Sequence, residues 1–562
     1  MTTRREFLET SVALAASAAL GSARTRSELG SQSPRGFIEL RRAPDSVTVQ
    51  TASADHRLTR DNGDRWADGD IVVVTTPGRM LLTVSLSSPT VAIKRLHLRW
   101  RGDLSPTRLI LGDAWERGYG DLEWRGWVAD RVMPWYCATS DGSFTHVYGV
   151  RTGANAFCFW QVDPAGISLW ADVRSGGVGV QLADRTLDVC EVACRAGHDS
   201  ESAFAALHAF CRQMCRRPRL PSFPLYGSND WYWAYGKNSA ETVRADAAHI
   251  VELSPAGENR PFVVIDDGWQ PGRGADKAGA GTWDQGNEKF GDMAALAADV
   301  RRAGARPGIW IRPLQAPASA PDAWRLSRDH ATFDPTVHEV RQKVIDDIAR
   351  LRRWGFDLIK HDYSTYDIFG RWGHQMGAAM TRDGWTFAGG QSRTTAEVIN
   401  DLYAAIRSGA GDALVIGCNT VSHLSAGAFE ICRIGDDTSG TEWSRTRKMG
   451  VNTLAFRGAQ HGAFYVADAD CVGLTNAVPW AMNRQWLDLL SRSGTMLFVS
   501  LAPDALGAEQ RSDLKAALAR AATPQPLGEP LDWQRSVYPS RWRLAGREVN
   551  YDWVGAEGAG PP

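Results

Sequence analysis

From Leu225 onward the chain alternates short apolar runs with amphipathic helices, and this alternation restricts the possible folds most. The runs are Phe262–Asp266, Pro307–Ile311, Phe356–Lys360, Ala413–Gly417, Phe429–Arg433 and Met496–Ser500. Stretches such as Val337–Arg353 and Ser392–Ser408 carry the 3.6-residue periodicity of helices between them. Runs that are apolar on both faces and spaced by helices belong to a parallel sheet covered on each side. About 280 residues of such text suit a closed barrel of eight strand–helix units.

The remainder of the 562 residues divides around this block. Between residue 36 and about residue 200, apolar and polar residues alternate with frequent Gly, Asp and Pro breaks. Strands are expected at Ile71–Thr76, Leu81–Leu86, Ala92–Trp100 and Gly179–Leu182. Many short strands without intervening helices predict a β-sandwich. A helix over Ser202–Cys215 and a Pro-rich connector, Arg217–Pro224, close that part. The expected architecture is therefore multidomain. It comprises an N-terminal β-sandwich with its linking helix (36–218), a central (β/α)8 TIM barrel (222–522) and a short C-terminal β appendage (523–562) bearing Trp533, Trp542 and Tyr551.

The first 25 residues have the make-up of a twin-arginine signal peptide. Thr3-Arg4-Arg5-Glu6-Phe7-Leu8 is followed by an apolar run from Ser11 to Leu20 and small residues to Ala23. Export to the periplasm or medium is expected, without a membrane span, because no later apolar run approaches 18 residues. Sixty-three basic residues balance 64 acidic ones, which gives no electrostatic reason to bind nucleic acid. Nine cysteines are present. Their C-x3-C spacings (Cys190/Cys194, Cys211/Cys215) are poor zinc ligands, so buried thiols or a disulfide are expected rather than a metal.

Carboxylates stand where the apolar runs end. Asp362 follows Lys360, and a neighbouring cation keeps a carboxylate ionised, as a nucleophile requires; Asp at this place also suits a helix cap. Asp436-Asp437 follows Arg433, and one carboxylate beside another raises a pKa, which suits a general acid; a turn Asp capping the next helix is the alternative. Asp266-Asp267-Gly-Trp269 suits recognition of sugar hydroxyls, or a hard metal ion. Trp231, Trp233, Trp269 and Trp310 would form an aromatic wall against a sugar ring, or part of the core. Asp468 and Asp470 carry no assigned role. Two acids at the ends of separate strands are the requirement of glycosidic bond cleavage.

The order Trp231-Tyr-Trp233, Ile265–Trp269, Gly308-Ile-Trp310, Lys360-His-Asp362 and Arg433-x-x-x-Asp437 resembles the α-galactosidase clan, glycoside hydrolase families 27 and 36. The resemblance covers roughly residues 225 to 505, and a leading sandwich is closer to family 36. It implies a retaining mechanism without a cofactor, with Asp362 as nucleophile and Asp437 as acid/base. It further implies that Asp266 and Asp267 hold distal sugar hydroxyls, that Lys360 bonds a ring hydroxyl, and that Trp231 and Trp310 line the pocket. Arg433 would lie by the leaving group or the 2-position, and Arg312, Cys418 and Asn419 would tune the choice of sugar. His361 and Arg312 depart from the family pattern. The implied substrate is an oligosaccharide or glycoside, most simply an α-D-galactoside. An α-N-acetylgalactosaminidase, a β-L-arabinopyranosidase, a non-catalytic carbohydrate-binding barrel and a metal-dependent hydrolase are the alternatives. The loop Gly112–Trp124 could reach the mouth of its own barrel or, in a homo-oligomer, a neighbour's; packing against the barrel is the other reading.

Overall fold

The computed structural model describes residues 34–61, 63–272 and 280–555. The segment expected to be a signal peptide, residues 1–25, lies outside them. Two antiparallel sheets occupy the first part. One has six strands, in the order Asp55–Arg57, Ser46–Thr51, Ile93–Arg101, Gly166–Asp172, Phe157–Asp163 and Met133–Pro134. The other has eight and includes Ile71–Pro77, Leu82–Ser87, Thr186–Arg195, Thr145–Val150 and Tyr136–Ser140. Ser46–Thr51 and Ile71–Pro77 bury every second residue, as expected of strands with one face on a core. Thr145–Val150 is buried on both faces, because the helix Ala203–Met214 packs behind it. A Cβ on Gly149 would crowd Met214 and Phe210. Of the expected strands, Gly179–Leu182 forms only a single bridge, between Val180 and Ile93. Its neighbours Gly176 and Gly177 lie against Trp385 and Arg382–Gly384 instead of a sheet partner.

A nine-stranded parallel sheet follows. Its strands are β1 (Tyr226–Asn229), β2 (Phe262–Ile265), β3 (Arg306–Ile311), β4 (Leu358–His361), β5 (Leu414–Gly417), β6 (Ile431–Arg433), β7 (Val466–Asp468), β8 (Cys471–Leu474) and β9 (Leu497–Leu501). Neighbours run β7-β6-β5-β4-β3-β2-β1-β9-β8. The two end strands are separated in the chain by Ala469 and Asp470 alone, so the sheet curls until its ends meet. Asp470 makes the break with a left-handed φ of 73°. Helices cover the outside, His338–Arg353 and Thr395–Ala410 packing against each other. A three-stranded antiparallel sheet (Glu529–Pro530, Arg541–Leu544, Arg547–Asn550) ends the described chain.

Strand alternation sorts the side chains of the curled sheet into two populations. Val263, Ile265, Ile309, Ile311 and Ile359 join the large core shared with the helices. Phe262, Val264, Leu358, Ile416, Ile431 and Phe498 form a separate cluster inside the curl. All nine cysteines are free and buried, so thiols, not bridges, fill those positions. No described helix is long and apolar enough to cross a membrane.

Candidate active site

The alternation continues past the apolar part of each strand and decides what faces the mouth of the curl. On β2, Asp266 has the parity of Phe262 and Val264. On β3, Trp310 and Arg312 oppose the core-facing Ile309 and Ile311. On β4, Lys360 and Asp362 share the parity of Leu358, and on β5 and β6 Cys418 and Arg433 follow Ile416 and Ile431. His361 falls on the other parity. It is fully buried against Tyr403 and Phe429, and burial lowers its imidazole to about 3. It is therefore a neutral core residue, although it sits between two mouth residues.

Both oxygens of Asp362 are held. Trp310 Nε1 donates to Oδ2 at 3.0 Å and the Tyr363 backbone N–H to Oδ1 at 2.8 Å. Tyr363 has a φ of 66°, unfavourable for a residue with a side chain. Its ring is fixed by the Arg312 guanidinium at 4.3 Å and by Trp310 and Trp372. Arg312 in turn forms a two-pronged bond to buried Asp367, at 2.6 and 3.1 Å. Arg312 thus steadies the segment that presents Asp362. The helix-cap alternative is not met: Tyr363, not Asp362, caps the helix Ser364–Phe369, and no side chain caps it.

Lys360 Nζ donates to Asp266 Oδ2 at 2.6 Å, and both residues are almost completely buried. Burial pushes the ammonium towards neutrality, but the Asp266 carboxylate more than offsets it, so Lys360 stays charged. Asp266 also accepts from Asn229 Nδ2 and the Asp267 N–H, each at 2.8 Å. Asp267 is more exposed, and its Oδ1 accepts from Gln270 at 2.6 Å. Asp230, between β1 and Trp231, accepts from the Asp266 N–H at 2.8 Å and from Asn238 at 2.9 Å. Burial and the adjacent Asp266 push Asp230 up to about 7. An unfolded Asp titrates near 4, so the folded protein holds the extra proton between about pH 4 and 7 and loses stability as pH rises through that window. Asp230→Asn should remove this component, on the order of a few kcal/mol. Denaturant titrations of both proteins at pH 4.5 and 7.5 test it: the variant should gain stability relative to the parent as pH rises, and an unchanged difference would contradict the assignment. Asn238 can turn its amide to accept from the new group, since its Oδ1 is otherwise unpartnered.

Asp437 is not raised by its neighbour, contrary to the sequence-based expectation. Asp436 is occupied by Arg117 at 2.6 Å and Arg445 at 2.9 Å. Burial alone would raise Asp437, but the cations Arg433, Arg117, Lys360 and Arg445 outweigh it and hold the carboxyl at about 2. Arg433, 1% exposed as a side chain, lies 3.2 Å from Asp437, 3.0 Å from Asp470 and 3.6 Å from Cys418 Sγ. Asp470 further accepts from Thr438 and Tyr232. Asp437 caps no helix; the next one begins at Trp443 with Glu442 as its cap.

The aromatic wall divides. Trp231 and Trp233 are half-buried on the short helix Trp231–Ala234, with Trp231 edge-on to the exposed Tyr235 at 5.5 Å. Trp310 is 4% exposed and touches Asp362. Trp269 is wholly buried and bonds the Trp310 carbonyl at 2.8 Å, so it backs the wall rather than facing a ligand. Asn419 is likewise buried, tied to Glu116 at 2.5 Å and to the Tyr366 N–H at 3.0 Å. It organises loops instead of facing the mouth. No cluster of three or more metal-ligating side chains occurs among the described residues.

The sequence alone did not single out Arg117, Tyr363, Asn229, Asp230 or Tyr232. Arg117 comes from the Gly112–Trp124 loop, which packs against the curled sheet of its own chain. Trp115 bonds the Gly377 carbonyl, and Trp124 packs edge-on against Trp533.

No protein-family model matches the chain. A bifunctional α-galactosidase/sucrose kinase, AgaSK, of Mediterraneibacter gnavus is 29% identical over 156 residues, 25% of this chain and only 16% of that protein. Among solved structures, the α-galactosidase TtGalA of Thermus thermophilus with p-nitrophenyl α-D-galactopyranoside superposes with a TM-score of 0.57 at 17% identity, covering 90% of this chain and 99% of that one. A family 36 α-galactosidase, AgaA, of Geobacillus stearothermophilus with 1-deoxygalactonojirimycin gives 0.57 at 16% identity, over 89% and 79% of the two chains. The chain therefore has the fold of the family 36 α-galactosidases.

Proposed function

We propose that the protein is a retaining glycoside hydrolase of α-linked pyranosides, with α-D-galactosides as the preferred class. The observation that carries this reading is the environment of Asp362. This carboxylate sits at the mouth of a parallel strand, with both oxygens oriented by an indole N–H and a backbone N–H. Such a group is fixed for in-line attack, and a chain of contacts leads from it to a second carboxylate, Asp437: the Trp372 ring lies 5.6 Å from the Tyr363 ring and 5.6 Å from the Arg117 guanidinium, which reaches Asp437 at 3.9 Å. Asp362 attacks the anomeric carbon while Asp437 protonates the departing oxygen. Asp437 then takes a proton from water as the glycosyl-enzyme is hydrolysed.

The surrounding cations, Arg433 foremost, hold the Asp437 carboxyl at about 2. A sugar that covers its 37%-exposed side chain removes water from it and raises its proton affinity, which prepares the acid for the first step. Asp267, the more exposed of the two adjacent acids, offers its carboxylate to sugar hydroxyls, with Lys360 and Asp266 fixed against each other behind it, and the half-buried Trp231 offers an apolar face. Relatives of this fold have been crystallised with stachyose and raffinose, which favours oligosaccharides as the natural class. The leader Met1–Thr25 supports work outside the cytoplasm.

The test is a panel of nitrophenyl α-D-galactopyranoside, α-N-acetylgalactosaminide and β-L-arabinopyranoside, with the first-formed anomer read by NMR. The expected result is preference for the galactoside and release of α-galactose. Release of the β-anomer would exclude the double displacement, and preference for another glycoside would reassign the substrate.

A further inference from the structure

We infer that Arg117, delivered by the N-terminal sandwich loop, is a positioning residue for Asp437: it keeps the neighbouring Asp436 turned away and sets the pH range over which Asp437 delivers its proton. This rests on the catalytic reading above and adds to the site a residue from outside the curled sheet.

The geometry is that of a clamp. The Gly118 N–H donates to the Ile434 carbonyl at 2.8 Å, and the Asp436 N–H donates to the Gly118 carbonyl at 2.9 Å. The loop therefore lies as an added backbone partner along the segment that leads from β6 to Asp437. Both contact points are glycine. A Cβ on Gly435 would collide with the Met449 carbonyl, and one on Gly118 would meet Thr453 at 2.8 Å. The loop is anchored ahead of Arg117 by buried polar links, Asp113 to Arg457 at 2.8 Å, Glu116 to Asn419 and the Glu116 carbonyl to Ser422 at 2.7 Å, and beyond it by the Asn452 amide, which donates to the Leu122 carbonyl at 2.8 Å. Between these anchors Arg117, 6% exposed as a side chain, reaches Asp436 at 2.6 Å and Asp437 at 3.9 Å, with Cys418 Sγ at 3.8 Å. Its guanidinium lies over the Tyr119 and Trp372 rings. A guanidinium that lies over two rings and is bonded to Asp436 is held beside Asp437.

Asp437 is faced from several elements. Arg433 lies on β6, Lys360 on β4, Arg445 on the helix Trp443–Thr446, and Tyr232 beside Asp470. Asp436 is its chain neighbour, and Arg117 comes from the sandwich side. Arg433 is shared with Asp470, and Arg445 is bonded to Asp436. Arg117 is the one cation among these that reaches both Asp436 and Asp437 and comes from the other part of the chain.

The pH profile of kcat at saturating substrate, which reports the acid with the sugar in place, tests this, measured on an alkyl α-D-galactopyranoside, whose leaving alcohol needs the proton, and on the 4-nitrophenyl galactoside, which needs it little. Removing a cation beside an acid raises its pKa, so Arg117→Met should move the alkaline limb for the alkyl substrate upward by about 1 pH unit. Asp436→Asn removes an anion and leaves Arg117 to Asp437, so it should move the limb downward. Arg117→Lys keeps the charge and should move it less than Arg117→Met. Opposite movements in the Met and Asn variants support the inference. An unmoved limb in Asp436→Asn, or equal losses on both substrates at an unchanged limb in Arg117→Met, would overturn it. If Arg117→Met does not fold, the direction seen in Asp436→Asn still decides. Full activity in Asp362→Gly would instead sink the catalytic reading, so the two failures are distinct.

Discussion

Asp362→Ala is expected to lose turnover by at least about 10⁴-fold while melting close to the parent protein. The alanine removes the attacking oxygen altogether, and no described carboxylate shares the Trp310 and Tyr363 donors that orient it. Its cost to the fold should be small, because the half-buried carboxylate supports one strained residue and one indole but no core. Azide added to Asp362→Gly should restore turnover and yield a β-galactosyl azide, since a small anion entering the vacated space attacks from the face the carboxylate used. Near-parental activity in the alanine variant, or rescue giving the α-azide, would remove Asp362 from the role of nucleophile.

Lys360→Met should be costly in a different way. It leaves the Asp266 carboxylate, 3% exposed, with only Asn229 and a backbone N–H to satisfy it. Breaking one member of a buried ion pair typically costs about 3–5 kcal/mol, more than most single substitutions. The folded protein should also lose affinity for sugars at the mouth. A second substitution, Asp266→Asn, in the Lys360→Met background should recover part of the stability, because it removes the stranded charge. The cycle of both single variants and the double, measured by denaturant unfolding, would give the coupling. Additive effects would show that the pair is not coupled as its 2.6 Å separation requires.

Much of this was legible in the sequence because the period of a strand is two. Once Phe262, Leu358 and Ile431 are taken as interior, Asp266, Lys360, Asp362 and Arg433 must open at the mouth. The same rule assigns His361 to the helix side, which explains why an imidazole stands between two polar site residues without taking part. What the chain did not show came from two causes. β1 is Tyr-Gly-Ser-Asn, too polar to read as a buried strand, yet buried because Asn229 and its neighbour Asp230 brace Asp266. Trp269 and Asn419 occupy motif positions but serve as supports, and burial of that kind depends on tertiary packing, not on local pattern. The electrostatics of Asp437 were also invisible. A carboxylate next to a carboxylate suggests a raised pKa, but four cations converge on it, and one of them is Arg117.

That last arrangement bears on how such a protein can be rebuilt. Glu116 and Asn419 are 303 positions apart, and the bond between them helps to seat a guanidinium beside the acid. On the inference drawn for Arg117, the curled sheet excised from its leading sheets would keep every strand-borne group and still deliver its proton over a different acidity range. Under the proposed function, grafting alternative leading modules onto one curled sheet then becomes a way to retune which aglycones depart readily, with the groups proposed to grip the sugar left as nature drew them.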